Sequence, residues 1–257
     1  MIPKIIHLCW LSGDPYPESI KQCLDTWKKY LPDYEVWVWD TKRFDVNSTI
    51  WTKEAFENKK YAFAADYIRL YALYNYGGIY LDSDVVMYKS FDELLSLPYF
   101  IGQSYTGAFE AAVIGAEKST NWVADVLRRY DNRHFVKEDG TFDMEELPKV
   151  FSHMLNEKYK FYRLHKVEQY DTDDNMIYLF DKDFFNSRNS IKVRKTKKSF
   201  CAHNYLGSWS KNKQSKSFKK RIQRLIPDWL LNAILVISHN TFKKKEIRKY
   251  EPVFINE

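Results

Sequence analysis

Cysteine is scarce in this chain, and no apolar run is long enough to span a bilayer. Only Cys9, Cys23 and Cys201 occur among 257 residues. Their spacing fits no metal-binding pattern, and an odd number excludes a fully paired disulfide framework. A reduced, cytoplasmic setting is the expectation. The opening MIPKIIHLCW has neither the apolar core nor the small-residue cleavage site of a signal peptide. The longest apolar stretch, LIPDWLLNAILVI at 225–237, is short of a transmembrane helix and carries Asp228. Internal repeats are lacking too.

What remains is an ordinary globular composition, with 45% apolar and 29% charged residues. One α/β domain accommodates that length. The aromatic fraction, 17%, is high. It fits either a Tyr-rich core or a site for flat or sugar-like ligands. The net charge of +6 is unevenly placed. Residues 211–249 hold twelve Lys or Arg against Asp228 and Glu246, a net +10, which leaves −4 for the rest. The basic character belongs to the C-terminal part.

Periodicity predicts a buried strand over 4–11, a helix over 18–31 with apolar residues at Ile20, Cys23, Leu24, Trp27 and Leu31, and a strand over 34–40. Strand, helix, strand at this spacing implies a parallel βαβ unit. A short helix at 51–58, a longer one at 61–78 closed by a glycine pair, and a strand region at 79–88 follow. Strands are expected at 99–105, 109–117, 176–180, 191–194 and 199–203. Helices are expected at 119–131, opened by Ser/Thr capping, and near 145–157. Ligands of open α/β sheets bind beyond the carboxyl ends of the strands, where Trp10, Asp40 and the Asp82/Asp84 pair fall.

Asp82 and Asp84 carry the clearest chemistry. They interrupt GGIYLDSDVVMY, whose flanks read as core, and alternation sets both on one face of a strand end. Two buried carboxylates repel unless a cation joins them. Mg²⁺ or Mn²⁺ suits that role and bridges carboxylates to phosphates. Upstream, AFAADYIRLYALY is apolar on every side except for Asp66 and Arg69, three residues apart on one face. They form either an internal ion pair or a polar face for a ligand such as a sugar. His203, in AHNYLGSW, is either a structural histidine or a metal ligand. Gly207 and Ser208 offer close backbone approach and a hydroxyl. Trp10 and Trp209 are flat faces, and Trp10 is read either as core or as a stacking partner for a base.

IPKIIHLCW, AADYIRLYALYNYGGIYLDSDV and AHNYLGSW together resemble glycosyltransferase family 32, the DXD sugar transferases of bacterial capsules and fungal mannan. The central motif is also similar to the glucosyltransferase domain of the large clostridial toxins. The resemblance implies a GT-A fold over 1–210, with a Rossmann-like nucleotide-binding half, a nucleotide-sugar donor (a UDP-sugar preferred), Mn²⁺ or Mg²⁺, and retention of configuration. It implies that Asp84 binds the metal, that Asp82 reaches the metal or the ribose, and that His203 closes the metal site. Asp66 and Arg69 would hold the donor sugar's hydroxyls. Trp10 would stack on the base, with His7 and Ser208 also beside the nucleotide, and Trp209 would cover the donor. No nucleophile is assigned. Glu110 and Asp171 read more simply as strand and loop charges than as acceptor contacts.

Residues 211–257 are expected to form a basic helical extension. Its basic clusters around an apolar segment suit an anionic membrane surface or a cap on the domain, and lack the aromatic interleaving of a nucleic-acid site. The expected role is therefore capsular or other surface polysaccharide synthesis on an oligosaccharide or lipid-linked glycan acceptor, at the inner face of the cell membrane. A nucleotidyltransferase and a non-catalytic, membrane-associated protein on the same fold are the alternatives.

Overall fold

The computed structural model describes residues 1–104, 107–185, 195–205 and 250–256. The elements run β1 (Ile5–Cys9), α1 (Glu18–Tyr30), β2 (Glu35–Trp39), α2 (Ile50–Glu57), α3 (Tyr61–Tyr76), β3 (Gly78–Leu81) and β4 (Val85–Met87). Then come β5 (Tyr99–Gln103), β6 (Phe109–Ala116), α4 (Asn121–Leu127), α5 (Leu147–Leu155), β7 (Lys160–Leu164), β8 (Met176–Phe180), α6 (Lys182–Phe185) and β9 (Cys201–His203). Seven strands form one sheet in the order β2-β1-β3-β6-β5-β8-β7. β2, β1 and β3 are mutually parallel, as are β5, β8 and β7, and β6 runs antiparallel between the two groups. This mixed α/β sheet, parallel in most of its pairings, agrees with the GT-A fold that the resemblance implied.

An apolar layer covers each face of the sheet. Ile6, Leu8, Ile79 and Leu81 pack with Trp27 on one side, while Tyr80 and Ile114 pack with α2 and α3 on the other. α1 forms because Ile20, Cys23 and Trp27 fall on one buried stripe, with Glu18 in its first turn and Lys28 and Lys29 in its last, each opposing the helix dipole. α3 is buried along most of its length, as its all-round apolar sequence predicts. Gly77 and Gly78 then turn the chain into β3 with φ of +66° and +109°. A Cβ on Gly78 would lie 2.7 Å from the carbonyl oxygen of Ile5, so only glycine lets β3 sit against β1 there.

Two expectations are corrected, and one strand is added. The stretch 79–88 is two strands in two sheets rather than one, because the chain turns at Asp82–Asp84, where Val85 N–H donates to Asp82 O at 3.0 Å. Thr120 precedes α4 without capping it, since its hydroxyl donates to Glu117 O at 2.7 Å. β7 is an edge strand that periodicity does not reveal: Lys160 is exposed, and Tyr162 and Arg163 are half-buried.

The expected strand at 191–194 and most of the expected extension lie outside the described residues. Residues 250–256 return to the sheet. Phe254 is buried in the core, Ile255 N–H donates to Phe161 O at 2.9 Å, and Asn256 exchanges hydrogen bonds with the backbone of Arg163. No helix among the described residues is long and apolar enough to cross a membrane.

Candidate metal and donor site

The site forms where the main sheet hands over to the small one. β4 pairs antiparallel with β9, with Val85 opposite His203, and the ladder continues as Asn204 N–H donates to Asp84 O at 3.1 Å. This pairing carries a histidine from the far end of the chain to the carboxylates of the turn. α1 fixes β4 from outside: Trp27 Nε1–H donates to Val85 O at 2.8 Å, and Thr26 Oγ1 accepts from Met87 N–H at 2.9 Å.

One ligand atom from each of Asp82, Asp84 and His203 lies within 4.8 Å of the others. His203 Nε2 stands 3.2 Å from Asp84 Oδ1 and 3.9 Å from Asp82 Oδ2. The other ring nitrogen, Nδ1, faces Glu110 Oε1 at 3.4 Å. Burial alone would lower the imidazole pKa, but Asp84 and Glu110 outweigh it and raise it well above the ordinary value. The same imidazole holds the Glu110 carboxyl below its usual range despite burial. Two carboxylates and an imidazole, gathered where negative charge is in excess, fit a Mn²⁺ or Mg²⁺ ion.

Asp66 and Arg69 adjoin this cluster as the sequence predicts, 2.9 Å apart and almost wholly buried. The arrangement is an ion pair that lies against the acidic turn. Arg69 Nη2 also lies 3.4 Å from Asp82 Oδ1, Nη1–H donates to Ala111 O at 2.7 Å, and the guanidinium stacks on the Tyr80 ring. Tyr80 in turn donates its hydroxyl to Asp82 Oδ1 at 2.7 Å. One guanidinium thus serves two carboxylates. Burial, with Asp82 and Glu146 nearby, pushes the Asp66 carboxyl above its ordinary range against the pull of Arg69.

His7 is placed otherwise. It is fully buried in the middle of β1, donates from Nε2 to Gly77 O at 2.7 Å, and accepts at Nδ1 from Trp39 Nε1–H at 3.1 Å. With both nitrogens used inside the core, it holds β1 to the α3–β3 turn rather than reaching a nucleotide. A second proton on Nδ1 would face a donor, and burial lowers the His7 pKa to about 4. The depressed value means that His7 contributes its full stability above pH 6.5 and loses it as pH falls toward 4. Wild type should therefore lose about 3 kcal/mol more than His7→Gln between pH 7 and pH 4. Urea unfolding of both proteins at the two pH values measures this, and parallel losses would contradict it.

Trp10 is half-buried, donates from Nε1 to Asp14 O at 2.7 Å, and meets Tyr16 edge-on. Asp40 accepts from Lys42 and Arg43 N–H, which makes it a turn residue. Asp171 is exposed. Ser208 and Trp209 lie outside the described residues. The structure adds Tyr80, Glu110 and Tyr205 to the cluster. Glu110 carried a signal like that of Asp66, a charge inside an apolar run, FEAAVIGA.

Residues 17–101 match the family model described as glycosyltransferase sugar-binding region containing DXD motif. That span holds Asp66, Arg69, Asp82 and Asp84, and ends before Glu110 and His203. Inositol phosphoceramide mannosyltransferase 3 of Schizosaccharomyces pombe is 32% identical over 146 residues, covering 52% of this chain and 40% of that protein. Mannosyl phosphorylinositol ceramide synthase SUR1 of Saccharomyces cerevisiae is 30% identical over 146 residues, covering 53% of this chain and 37% of that protein. The matched region is thus less than half the length of either relative. Among solved structures, PaToxG glycosyltransferase aligns with a TM-score of 0.46 and 24% identity over 61% of this chain and 68% of its own. The likeness is to DXD glycosyltransferases, and nothing in it singles out capsule enzymes.

Proposed function

We propose that the protein is a divalent-metal-dependent glycosyltransferase that moves a hexose from a nucleotide-sugar to a glycan or lipid-linked acceptor with retention of configuration. The observation that carries this reading is the convergence of Asp82, Asp84 and His203 within 4.8 Å, directly beside the buried Asp66–Arg69 pair. Asp82, Asp84 and His203 would hold the cation. When bound, it supplies Lewis acidity to the leaving diphosphate. The chain's own residues do the rest. Arg69, locked by Asp66, Asp82 and Ala111, keeps the turn in place, and the Asp66 carboxylate is set to accept hydrogen bonds from sugar hydroxyls. The names of the relatives bring mannose donors forward beside the UDP-sugars. The charge of residues 211–249 supports a cytoplasmic enzyme at an anionic membrane surface, a reading that lies outside the described residues.

The test is a donor panel. UDP-glucose, UDP-galactose, UDP-N-acetylhexosamines and GDP-mannose are each incubated with the protein and Mn²⁺, with and without EDTA. The expected result is EDTA-sensitive release of nucleoside diphosphate from one donor. Release of pyrophosphate from a nucleoside triphosphate and sugar phosphate would instead establish a nucleotidyltransferase. No release and no Mn²⁺-dependent thermal shift would leave the non-catalytic alternative standing.

A further inference from the structure

We infer that Glu110 is a positioning residue for His203: its carboxylate holds the Nδ1 edge of the imidazole, so that Nε2 is presented to a cation between Asp82 and Asp84. The inference rests on the metal-binding reading above and assigns a residue beyond the DXD motif and beyond the region that matches the family model.

Glu110 is 3% exposed, in a strand whose eight residues are all buried. A carboxylate in such a place costs several kcal/mol unless it is paired and hydrogen-bonded. Its partners are specific. Oε1 accepts from Ala112 N–H at 3.0 Å and faces His203 Nδ1 at 3.4 Å, while Oε2 accepts from the Tyr205 hydroxyl at 3.1 Å. Tyr205 in turn lies on the His203 ring, with centroids 4.0 Å apart, and takes a left-handed φ of 49° to do so. The imidazole is therefore held at one edge by a fixed carboxylate and on one face by a phenol.

The opposite edge carries Nε2, turned toward Asp84 and Asp82. Imidazole ligates a metal through one nitrogen, and whatever the other nitrogen donates to fixes the tautomer and the ring orientation. Glu110 is in that outer position. It stands at the Nδ1 edge, away from the gathered ligand atoms, so it is not arranged as a third carboxylate on the cation. The 3.4 Å separation is that of an ion pair, longer than an ordinary hydrogen bond.

The test compares wild type, Glu110→Gln, Glu110→Ala and Asp84→Asn. Mn²⁺ is titrated into each protein and followed by the EPR signal of the free aquo ion. Electron spin echo modulation from ¹⁴N reports imidazole on the bound ion, and thermal melts in EDTA report folding. Glu110→Ala should bind Mn²⁺ about 100-fold more weakly and lose most of the ¹⁴N modulation. Glu110→Gln, whose amide oxygen can stand at the Nδ1 edge without the negative charge, should lose only about tenfold and keep the modulation. It is isosteric, keeps one acceptor oxygen for Ala112 N–H and turns its amide NH₂ to the Tyr205 oxygen, so it decides the matter even if the alanine variant fails to fold.

Wild-type Mn²⁺ affinity in Glu110→Gln would overturn the inference. So would a lower melting temperature in EDTA with unchanged affinity, which is the signature of a purely structural pair. Loss of binding in Glu110→Gln as complete as in Asp84→Asn would make Glu110 a direct ligand and overturn it as well. Failure of wild type itself to bind Mn²⁺ would remove the metal site and this inference together.

Discussion

Asp84→Asn is expected to lower metal-dependent donor turnover by on the order of 10³-fold while the fold survives. Asparagine keeps the shape of the side chain and leaves untouched the backbone carbonyl that accepts from Asn204. What it removes is one of the two anionic oxygen donors facing His203 Nε2. A hard cation loses charge neutralisation and a ligand at once, and several kcal/mol of transition-state stabilisation go with it. Stability without metal should change little, because relief of the Asp82–Asp84 repulsion offsets the loss of a partner for His203. Steady-state release of nucleoside diphosphate, with circular-dichroism melts in EDTA, measures both parts. Turnover within tenfold of wild type would contradict the assignment of Asp84.

Arg69→Met should produce the largest loss of stability at the site, about 3–5 kcal/mol. The guanidinium is buried against Asp66, Asp82, Ala111 O and the Tyr80 ring, and burial fails to lower its pKa only because Asp82, Tyr80 and Asp66 surround it. Its removal strands two carboxylates in a region of low dielectric. For a chain of this size the melting temperature should fall by roughly 10 °C. Asp66→Asn/Arg69→Met should lose less than Arg69→Met alone, since one stranded charge is gone, and that non-additivity separates charge stranding from lost packing. Denaturant unfolding in EDTA settles it. A single variant within about 1 kcal/mol of wild type would show that the pair carries no such strain.

Much of the fold was legible because its local signals agree with its tertiary environment. α1 and α3 came from apolar period and from all-round apolarity, and the parallel β1–α1–β2 unit followed from spacing alone. β7 escaped because its two buried residues, Phe161 and Leu164, stand three apart and break the period of two, and because Phe254, remote in sequence, bridges to it. The Asp82–Asp84 pair was legible from its apolar flanks, though not as a turn between two sheets. His203 was ambiguous in sequence because its role depends on the β4–β9 pairing, a contact that no local pattern encodes. Glu110 reads in sequence as a plain strand charge for the same reason: its partners, His203 and Tyr205, lie more than 90 residues away along the chain. His7 went the opposite way: the resemblance implies a place beside the nucleotide, and its two core hydrogen bonds put it inside the fold.

The central claim is that Asp82, Asp84 and His203 together hold the divalent cation that accompanies the donor diphosphate. Crystals grown with Mn²⁺ and the nucleoside diphosphate of the preferred donor, measured at the manganese absorption edge, test it most directly. The expected result is one anomalous peak bonded to Asp82, Asp84 and His203 Nε2, with Glu110 against Nδ1. A peak elsewhere, or diphosphate bound with no peak among these three side chains, would contradict the account.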